Sequence, residues 1–66
     1  MRVNVNGKIT NVSKNEKLLD LLEQIELNPK SVVIVYNGET LPRDEWDAAH
    51  LKEEDTIEII KFIVGG

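Results

Sequence analysis

One leucine-rich segment constrains the fold of this 66-residue chain more than any other feature of its sequence. Its apolar residues recur at the spacing of one helix face: Leu18, Leu19, Leu21, Leu22 and Ile25. Its polar residues fall on the opposite side: Asp20, Glu23, Gln24 and Glu26. Because a single amphipathic helix cannot bury its own apolar face, the helix must lie across a sheet formed by the rest of the chain.

Residues on both sides of this segment predict where the helix begins and ends. Ser13 followed by Glu16 fits a capping box, and Asn15 is a competing cap. Pro29 disfavours helical geometry in the residue before it, so the helix is expected to end at Asn28. The sequence thus predicts one helix of about three turns.

Two patterns before the helix predict a β-hairpin. Residues 1–6 alternate between apolar and polar types, with the apolar residues on one face. Asn6-Gly7 is the preferred pair for a two-residue turn, and residues 8–12 are expected to form the return strand.

Further strands are predicted after the helix. Val32–Tyr36 is a continuous apolar run, which indicates a strand buried on much of both faces, although its period alone does not assign the inward side chains. Asn37-Gly38 predicts a second turn, followed by a short strand over residues 39–41. Residues 43–50 form either a short helical turn or an irregular loop, and Trp46 is expected to anchor them as a partly buried side chain.

The last strand is predicted near the end of the chain, where β-branched and aromatic residues dominate. Glu58 is unsuited to a core, so period-two alternation places it on the outer face. Ile57 and Ile59 then point inward, whereas Ile60 and Phe62 share the outer face with Glu58. Large apolar side chains on an outer face predict contact with a partner protein.

Together these elements predict an α+β fold of the ubiquitin-like β-grasp type, a mixed sheet of roughly four to five strands with one main helix packed across one face. The helix offers a crossover, so the first and last strands are expected to pair in parallel. Residues 1–62 form the single β-grasp domain in this prediction, and residues 63–66 form a flexible tail. The outer face of the sheet stays uncovered in the monomer that we expect for the free protein.

The sequence ends with Gly65-Gly66. Because glycine lacks a Cβ, an extended Gly-Gly segment passes through a channel that rejects bulkier residues. An unhindered carboxylate on such a segment suits activation by another enzyme as an acyl-adenylate. The competing interpretation is a frayed end without a chemical role.

Composition excludes several classes of function. The chain has no cysteine and one histidine, which excludes disulfides, thiol catalysis and a Cys/His zinc site. A net charge of −4 argues against a nucleic-acid partner, since phosphate binding needs a basic face. The sequence has no apolar run of membrane-spanning length, so we expect no membrane partner and a cytoplasmic location.

Other polar residues are expected to have structural roles. His50 lacks a neighbouring nucleophile, so we expect a surface or structural position. Arg43 is expected to pair with Asp44, Asp47 or an acidic group of a partner. The acidic run at residues 53–55 is expected to form a solvated turn, and no metal site is predicted.

The motifs taken in order resemble the ThiS family, the sulfur carriers of thiamine biosynthesis, over the whole chain. The segments that carry the resemblance are Val5-Asn6-Gly7, Leu21-Leu22-Glu23, Tyr36-Asn37-Gly38-Glu39, Pro42-Arg43 with Trp46, and Asp55–Ile59 leading to Phe62 and Gly65-Gly66. Pro-Arg-x-x-Trp is the most distinctive of these motifs.

The resemblance implies a protein substrate and not an enzyme. In this family a ThiF-like adenylating enzyme uses ATP to adenylate the terminal glycine, sulfur from a donor protein replaces the adenylate, and a ThiG-like thiazole synthase takes the sulfur from the resulting thiocarboxylate. By this resemblance, Gly66 bears the adenylate and then the sulfur, while Gly65 lets the tail enter the active site. Ile60, Phe62 and Val64 dock the partners, and the chain itself binds neither cofactor nor metal.

Other interpretations stay open at this point. The fold and the diglycine end are shared by MoaD-like carriers of molybdopterin synthesis and by carriers for tRNA thiolation. This chain also has Ile63-Val64 where many members of the ThiS family have small residues. A ubiquitin-like interaction domain without carboxyl chemistry is the remaining alternative.

Overall fold

A computed structural model of the protein describes residues 1–62. The strands are β1 (Arg2–Val5), β2 (Lys8–Asn11), β3 (Val32–Tyr36), β4 (Glu39–Thr40) and β5 (Thr56–Lys61). The helices are α1 (Leu18–Gln24) and two 3₁₀ helices, Pro29–Ser31 and Arg43–Ala48. All five strands form one mixed sheet in the order β2-β1-β5-β3-β4. This arrangement confirms the predicted α+β fold.

Both predicted Asn-Gly turns are present. Asn6-Gly7 forms the loop between β1 and β2, and Asn37-Gly38 forms the loop between β3 and β4. Backbone φ is +52° and +84° in the first pair, and +50° and +88° in the second. Positive φ at both central residues is typical of the type I′ turn, whose twist matches that of the paired strands.

The last strand, β5, lies in the centre of the sheet. It pairs in parallel with β1, where Val5 is opposite Ile57, and antiparallel with β3, where Ile34 is opposite Ile59. The parallel pair confirms the predicted crossover through α1. Ile57 and Ile59 are 0% and 8% exposed, as the predicted alternation requires.

The core lies between α1 and the inner face of the sheet. Three leucines of the predicted stripe are almost fully buried: Leu18, Leu21 and Leu22. They pack with aliphatic side chains from the sheet and from the loops: Val3, Val12, Val32, Ile34, Leu51, Ile57 and Ile59. Leu19 lies at the margin of this core, whereas Ile25 is 41% exposed. The predicted stripe is therefore wrong at its C-terminal end.

The predicted capping box of Ser13 and Glu16 does not begin the helix. Lys17 is the N-cap, and its N–H donates to the Asp20 carboxylate at 3.2 Å. The first helical residue is Leu18.

The reason lies in a pairing between the residues before α1 and those before β5. The Glu16 carbonyl accepts a hydrogen bond from the Leu51 N–H at 2.8 Å, and Lys17 after it has an extended backbone, so the helix does not begin until Leu18. The Glu16 carboxylate is buried and accepts hydrogen bonds from the Ser13 N–H at 3.3 Å and from the Gln24 amide at 3.1 Å. The two residues of the predicted box therefore close a turn that precedes the helix.

The helix α1 also ends earlier than predicted, because it has seven residues, or about two turns. The Leu27 N–H donates to the Leu22 carbonyl at 3.2 Å, and the Glu26 N–H donates to the Glu23 carbonyl at 3.1 Å. This pair of hydrogen bonds is the Schellman motif, with Glu26 at the left-handed position and a φ of +56°. Pro29 begins the first 3₁₀ helix and does not end α1.

Strand β3 is buried on one face and not on both. Val32 and Ile34 are fully buried, whereas Val33 between them is 36% exposed. The inward residues, which the sequence period does not assign, are therefore Val32 and Ile34.

The segment after β4 forms the second 3₁₀ helix, which resolves the predicted choice between a helical turn and a loop. Trp46 anchors this segment and is only 4% exposed, so it is more deeply buried than predicted. Its indole Nε1–H donates to the Leu41 carbonyl at 3.0 Å, which satisfies the polar atom of a buried aromatic ring.

Asp55 is buried, although the sequence predicts a solvated turn at residues 53–55. The residue is 6% exposed, and its carboxylate accepts hydrogen bonds from the Tyr36 hydroxyl, from the Asn37 amide at 3.1 Å and from the Lys52 N–H at 2.7 Å. These donors offset the desolvation of the carboxylate. Burial, the hydrogen bond to Asp55 and the Asp55 charge together raise the pKa of Tyr36 to about 12.

Candidate functional site

An apolar patch lies on the outer face of the sheet, the face opposite α1. Ile60 is 50% exposed and lies directly opposite Val33 of β3. Phe62, the second residue after Ile60, is 41% exposed. We term Val33, Ile60 and Phe62 the apolar patch. The two described residues that were predicted to dock partners therefore lie at the surface.

Val33 was missed by sequence reasoning. Every residue of β3 is apolar or aromatic, so the strand itself carries no signal for its outward side chains. The register of β3 against β5 places Val33 beside Ile60, because directly opposite residues of an antiparallel pair share one face. Only the strand pairing, which is a tertiary property, adds Val33 to the patch.

The end of β5 is fixed to the domain through its backbone. Lys61 pairs with Val32, and the Phe62 N–H then donates to the Ser31 carbonyl at 3.0 Å. The antiparallel ladder thus extends by one hydrogen bond beyond the strand. Phe62 is the last described residue, and the predicted roles of Val64, Gly65 and Gly66 concern positions outside the described residues.

Asparagine side chains of the two hairpin turns bind the backbone of β5 on both sides. On one side, the Asn6 side-chain oxygen accepts from the Ile59 N–H at 2.7 Å. On the other side, the Asn37 side-chain oxygen accepts from the Thr56 N–H at 2.8 Å. Each asparagine therefore serves both its own turn and the strand that leads towards the diglycine segment.

Arg43 contacts backbone carbonyls in place of the predicted carboxylates. Its guanidinium donates to the Pro29 carbonyl and to the Val32 carbonyl, the second at 3.3 Å. Its Cζ also lies 4.9 Å from the centroid of the Trp46 ring, within the range of cation–π attraction. The predicted ion pair with a neighbouring aspartate is therefore wrong.

The remaining polar candidates show no catalytic arrangement in the described part of the chain. His50 is exposed, as predicted, and its Nδ1 lies 3.2 Å from the Ala48 carbonyl oxygen. Within residues 1–62 there is no group of three or more histidine, aspartate or glutamate side chains that could hold a metal ion. The helices of that span are all too short or too polar to cross a membrane.

The five-stranded mixed sheet with one main helix packed across its inner face defines a β-grasp protein. The crystal structure of the thiamine biosynthesis protein ThiS from Geobacter metallireducens matches with a TM-score of 0.85 and 32% identity, over 100% of both chains. A solution structure of a thiamine biosynthesis protein from the same organism matches with a TM-score of 0.80 and 32% identity, over 100% of this chain and 88% of that one.

The chain belongs to the ThiS family, whose model matches residues 2–66. It is 37% identical over 59 residues to the sulfur carrier protein TtuB of Thermus thermophilus, covering 89% of this chain and 85% of that protein. It is 32% identical over 66 residues to a thiazole synthase of Magnetococcus marinus, covering 100% of this chain and 20% of that protein.

Membership settles the general role of the chain. ThiS-family sulfur carriers are small non-catalytic proteins that interact with activating enzymes, so this chain is a sulfur carrier and not an enzyme. The resemblance to the ThiS family and the non-enzymatic role predicted from the sequence are both confirmed.

Proposed function

We propose that this ThiS-family carrier delivers sulfur for thiazole formation in thiamine biosynthesis. The observation that carries the proposal is the end-to-end match to the thiamine biosynthesis protein ThiS, with a TM-score of 0.85. The whole chain matches part of a thiazole synthase. A carrier domain joined to a synthase in one polypeptide stays next to it, so this match supports association of the chain with a ThiG-like enzyme.

The reactive group in this proposal is the α-carboxyl of Gly66. A ThiF-like enzyme transfers the adenylyl group of ATP to this carboxylate and releases pyrophosphate. Sulfur from a donor protein then displaces AMP and leaves a thiocarboxylate, from which a ThiG-like synthase takes the sulfur. ATP and its metal ion belong to the activating enzyme, and this chain supplies the acyl group.

The apolar patch is the proposed docking surface for these partners. Ile60 is 50% exposed and Phe62 is 41% exposed, a few residues before Gly65-Gly66 in the sequence, and Val33 extends the same surface. Val64, which lies outside the described residues, is included from the family resemblance. Four residues span at most about 14 Å when fully extended, so a partner that holds Gly66 must also lie close to Phe62. Docking and capture of the carboxyl group therefore use adjoining surfaces.

The second candidate is the same carrier chemistry in another pathway, such as molybdopterin synthesis or tRNA thiolation. It is favoured by the 37% identity to sulfur carrier protein TtuB, which exceeds the 32% identity to the thiazole synthase. Both candidates place the sulfur on Gly66, so they differ in the acceptor of the sulfur and not in the chemistry of this chain.

Intact-mass measurement tests the carboxyl chemistry. After incubation with ATP, a ThiF-like enzyme and a sulfur source, the chain is expected to gain the mass of one oxygen-to-sulfur exchange. A variant extended by one alanine after Gly66 is expected to keep the fold and the apolar patch, but its Gly66 carboxyl is part of a peptide bond and cannot be adenylated. Sulfur transfer to this extended variant at the wild-type rate would refute the assignment of Gly66.

Growth experiments separate the two pathways. Cells that lack this protein are expected to require thiamine, and the preformed thiazole moiety is expected to restore their growth. If the thiazole moiety has no effect while the purified chain still accepts sulfur, the carrier chemistry stands and the pathway is another one.

A further inference from the structure

The Pro42-Arg43-x-x-Trp46 motif has no part in the proposed carboxyl chemistry, yet its arginine contacts the segment that holds the end of β5. Trp46 is buried and fixed by its hydrogen bond to the Leu41 carbonyl. Arg43 lies over the Trp46 ring and directs its guanidinium at the segment that contains the first 3₁₀ helix. Trp46 thus holds Arg43 in place, and Arg43 in turn contacts that segment.

The guanidinium holds two carbonyls of that segment at once. Its Nη1 donates to the Pro29 carbonyl and its Nη2 to the Val32 carbonyl, which are separated by one 3₁₀ turn. The Ser31 carbonyl lies between them in sequence and accepts the hydrogen bond from the Phe62 N–H at 3.0 Å. Arg43 thus fixes the turn whose carbonyl fixes Phe62.

We propose that Arg43 is a positioning residue, which holds Phe62 in place so that residues 63–66 reach the activating enzyme from a fixed point. The proposal rests on the carrier function proposed above. Only four residues separate Phe62 from the reacting carboxyl. If Phe62 is less firmly held, the position of that carboxyl therefore varies more. A partner then has to order Phe62 before it holds Gly66 in a fixed place, and this ordering weakens productive binding.

Arginine suits this task better than lysine. Its planar guanidinium presents donors in a fixed fork and stacks on an aromatic ring, whereas an ammonium group is a point charge on a flexible stem. Lysine at position 43 would keep the positive charge but would not hold both carbonyls in one geometry. The positioning effect therefore depends on the shape of the group and not only on its charge.

Amide hydrogen exchange by NMR tests the proposal without any partner. Replacement by Arg43→Gln is expected to accelerate exchange of the Phe62 N–H by roughly fivefold, the equivalent of one neutral hydrogen bond, while exchange at Ile57 changes little. Arg43→Lys is expected to give an intermediate exchange rate at Phe62. It provides a second measurement if the glutamine variant fails to fold. Arg2→Gln is the matched control, because Arg2 contacts Glu54 at 3.7 Å at the opposite end of the sheet.

Adenylation kinetics provide the functional measurement. With a ThiF-like enzyme, Arg43→Gln is expected to raise KM for the carrier by roughly fivefold with kcat nearly unchanged, because the lost order affects ground state and transition state alike. Arg2→Gln is expected to leave both parameters unchanged. A wild-type chain that no activating enzyme adenylates would refute the carrier function itself, whereas the exchange data would still decide whether Arg43 holds Phe62.

Either of two results would overturn the proposal. One is an active wild type together with unchanged Phe62 exchange and unchanged KM in Arg43→Gln and Arg43→Lys. The other is a uniform acceleration of exchange at Phe62 and Ile57 that follows the loss of global stability, which would make Arg43 a purely structural residue.

Discussion

Glu26 occupies a backbone conformation that favours glycine, so Glu26→Gly is expected to stabilise the domain. Its φ of +56° lies in the left-handed region, where an L-residue with a side chain costs roughly 1–2 kcal/mol. The Schellman hydrogen bonds at the end of α1 enforce this conformation. Most helices that end in this motif have glycine at the same position.

The magnitude follows from three effects. Loss of the Cβ relieves the backbone strain, and loss of the carboxylate removes a negative charge near the helix C-terminus, which is worth about 0.3–1 kcal/mol. Glycine also makes the unfolded chain more flexible, which lowers stability by about 0.4–1 kcal/mol. The net expectation is an increase of about 1 kcal/mol in the unfolding free energy, which corresponds to a rise in Tm of about 4–8 °C for a domain of this size.

Urea denaturation followed by tryptophan fluorescence measures the change, because the single tryptophan of the chain is buried. Glu23→Gly makes the same replacement inside α1, where φ is helical, and is expected to lower stability by about 1 kcal/mol. Glu26→Ala removes the charge but retains the Cβ, so its gain should be smaller than that of Glu26→Gly. Equal stability of Glu26→Gly and the wild type, or a loss as large as that of Glu23→Gly, would refute the assigned backbone strain.

Other perturbations test the core, the buried network and the apolar patch. Leu22→Ala is expected to lower the unfolding free energy by about 2–5 kcal/mol in urea denaturation, because it opens a cavity under the sheet. Ultraviolet absorbance of the single tyrosine is expected to titrate near pH 12. Because burial and Asp55 raise the pKa of Tyr36 above its ordinary 10.0, the stability that the neutral phenol provides is complete below pH 10 and is lost as the pH rises towards 12. Phe62→Ala is expected to weaken binding to the activating enzyme by more than about 1 kcal/mol in calorimetric titration, with little change in folding stability. Ile9→Ala is the matched control on the same face, since Ile9 is 65% exposed but lies on the edge strand β2.

Each of these expectations has a contrary outcome. A Leu22→Ala variant as stable as the wild type would mean that the helix is not packed as described. If Tyr36 titrates near pH 10, its described burial and its hydrogen bond to Asp55 are wrong. Equal losses of affinity in Phe62→Ala and Ile9→Ala would spread docking over the whole outer face instead of the apolar patch.

Local sequence rules predicted the elements whose residues act locally. Asn-Gly pairs favour positive φ by themselves, and Asn6-Gly7 and Asn37-Gly38 adopt it. The two turns and their hairpins could therefore be predicted from these dipeptides. The alternation around Glu58 likewise predicted the buried and exposed faces of β5, because one acidic residue fixes the phase of the whole strand. These elements and the leucine stripe were enough to predict the fold class.

The errors occur where distant residues determine the local structure. Glu16 and Leu51 pair through their backbones, which delays the start of α1 in a way that no capping pattern encodes. Asp55 is buried because Tyr36 and Asn37 supply donors from the hairpin of β3 and β4. The local sequence around Asp55 does not show that these two donors lie beside it, so the acidic run was predicted to be solvated.

The candidate site divides along the same line. The exposure of Ile60 and Phe62 follows from alternation, whereas the contribution of Val33 needs the register of β3 against β5. Arg43 was recognised as part of a distinctive motif, but its contacts depend on where the first 3₁₀ helix lies in space. The roles of Gly65 and Gly66 stay predictions that rest on the family resemblance.

The central position of β5 also has a mechanical consequence. Tension applied to the chain beyond Phe62 would run along the strand axis, with β1 on one flank and β3 on the other. Ladder hydrogen bonds lie across the strands, so such a load shears many of them together and does not unzip them singly. A partner that pulls on the chain beyond Phe62 would therefore load many hydrogen bonds of β5 at once, so the sheet would resist extraction of the strand.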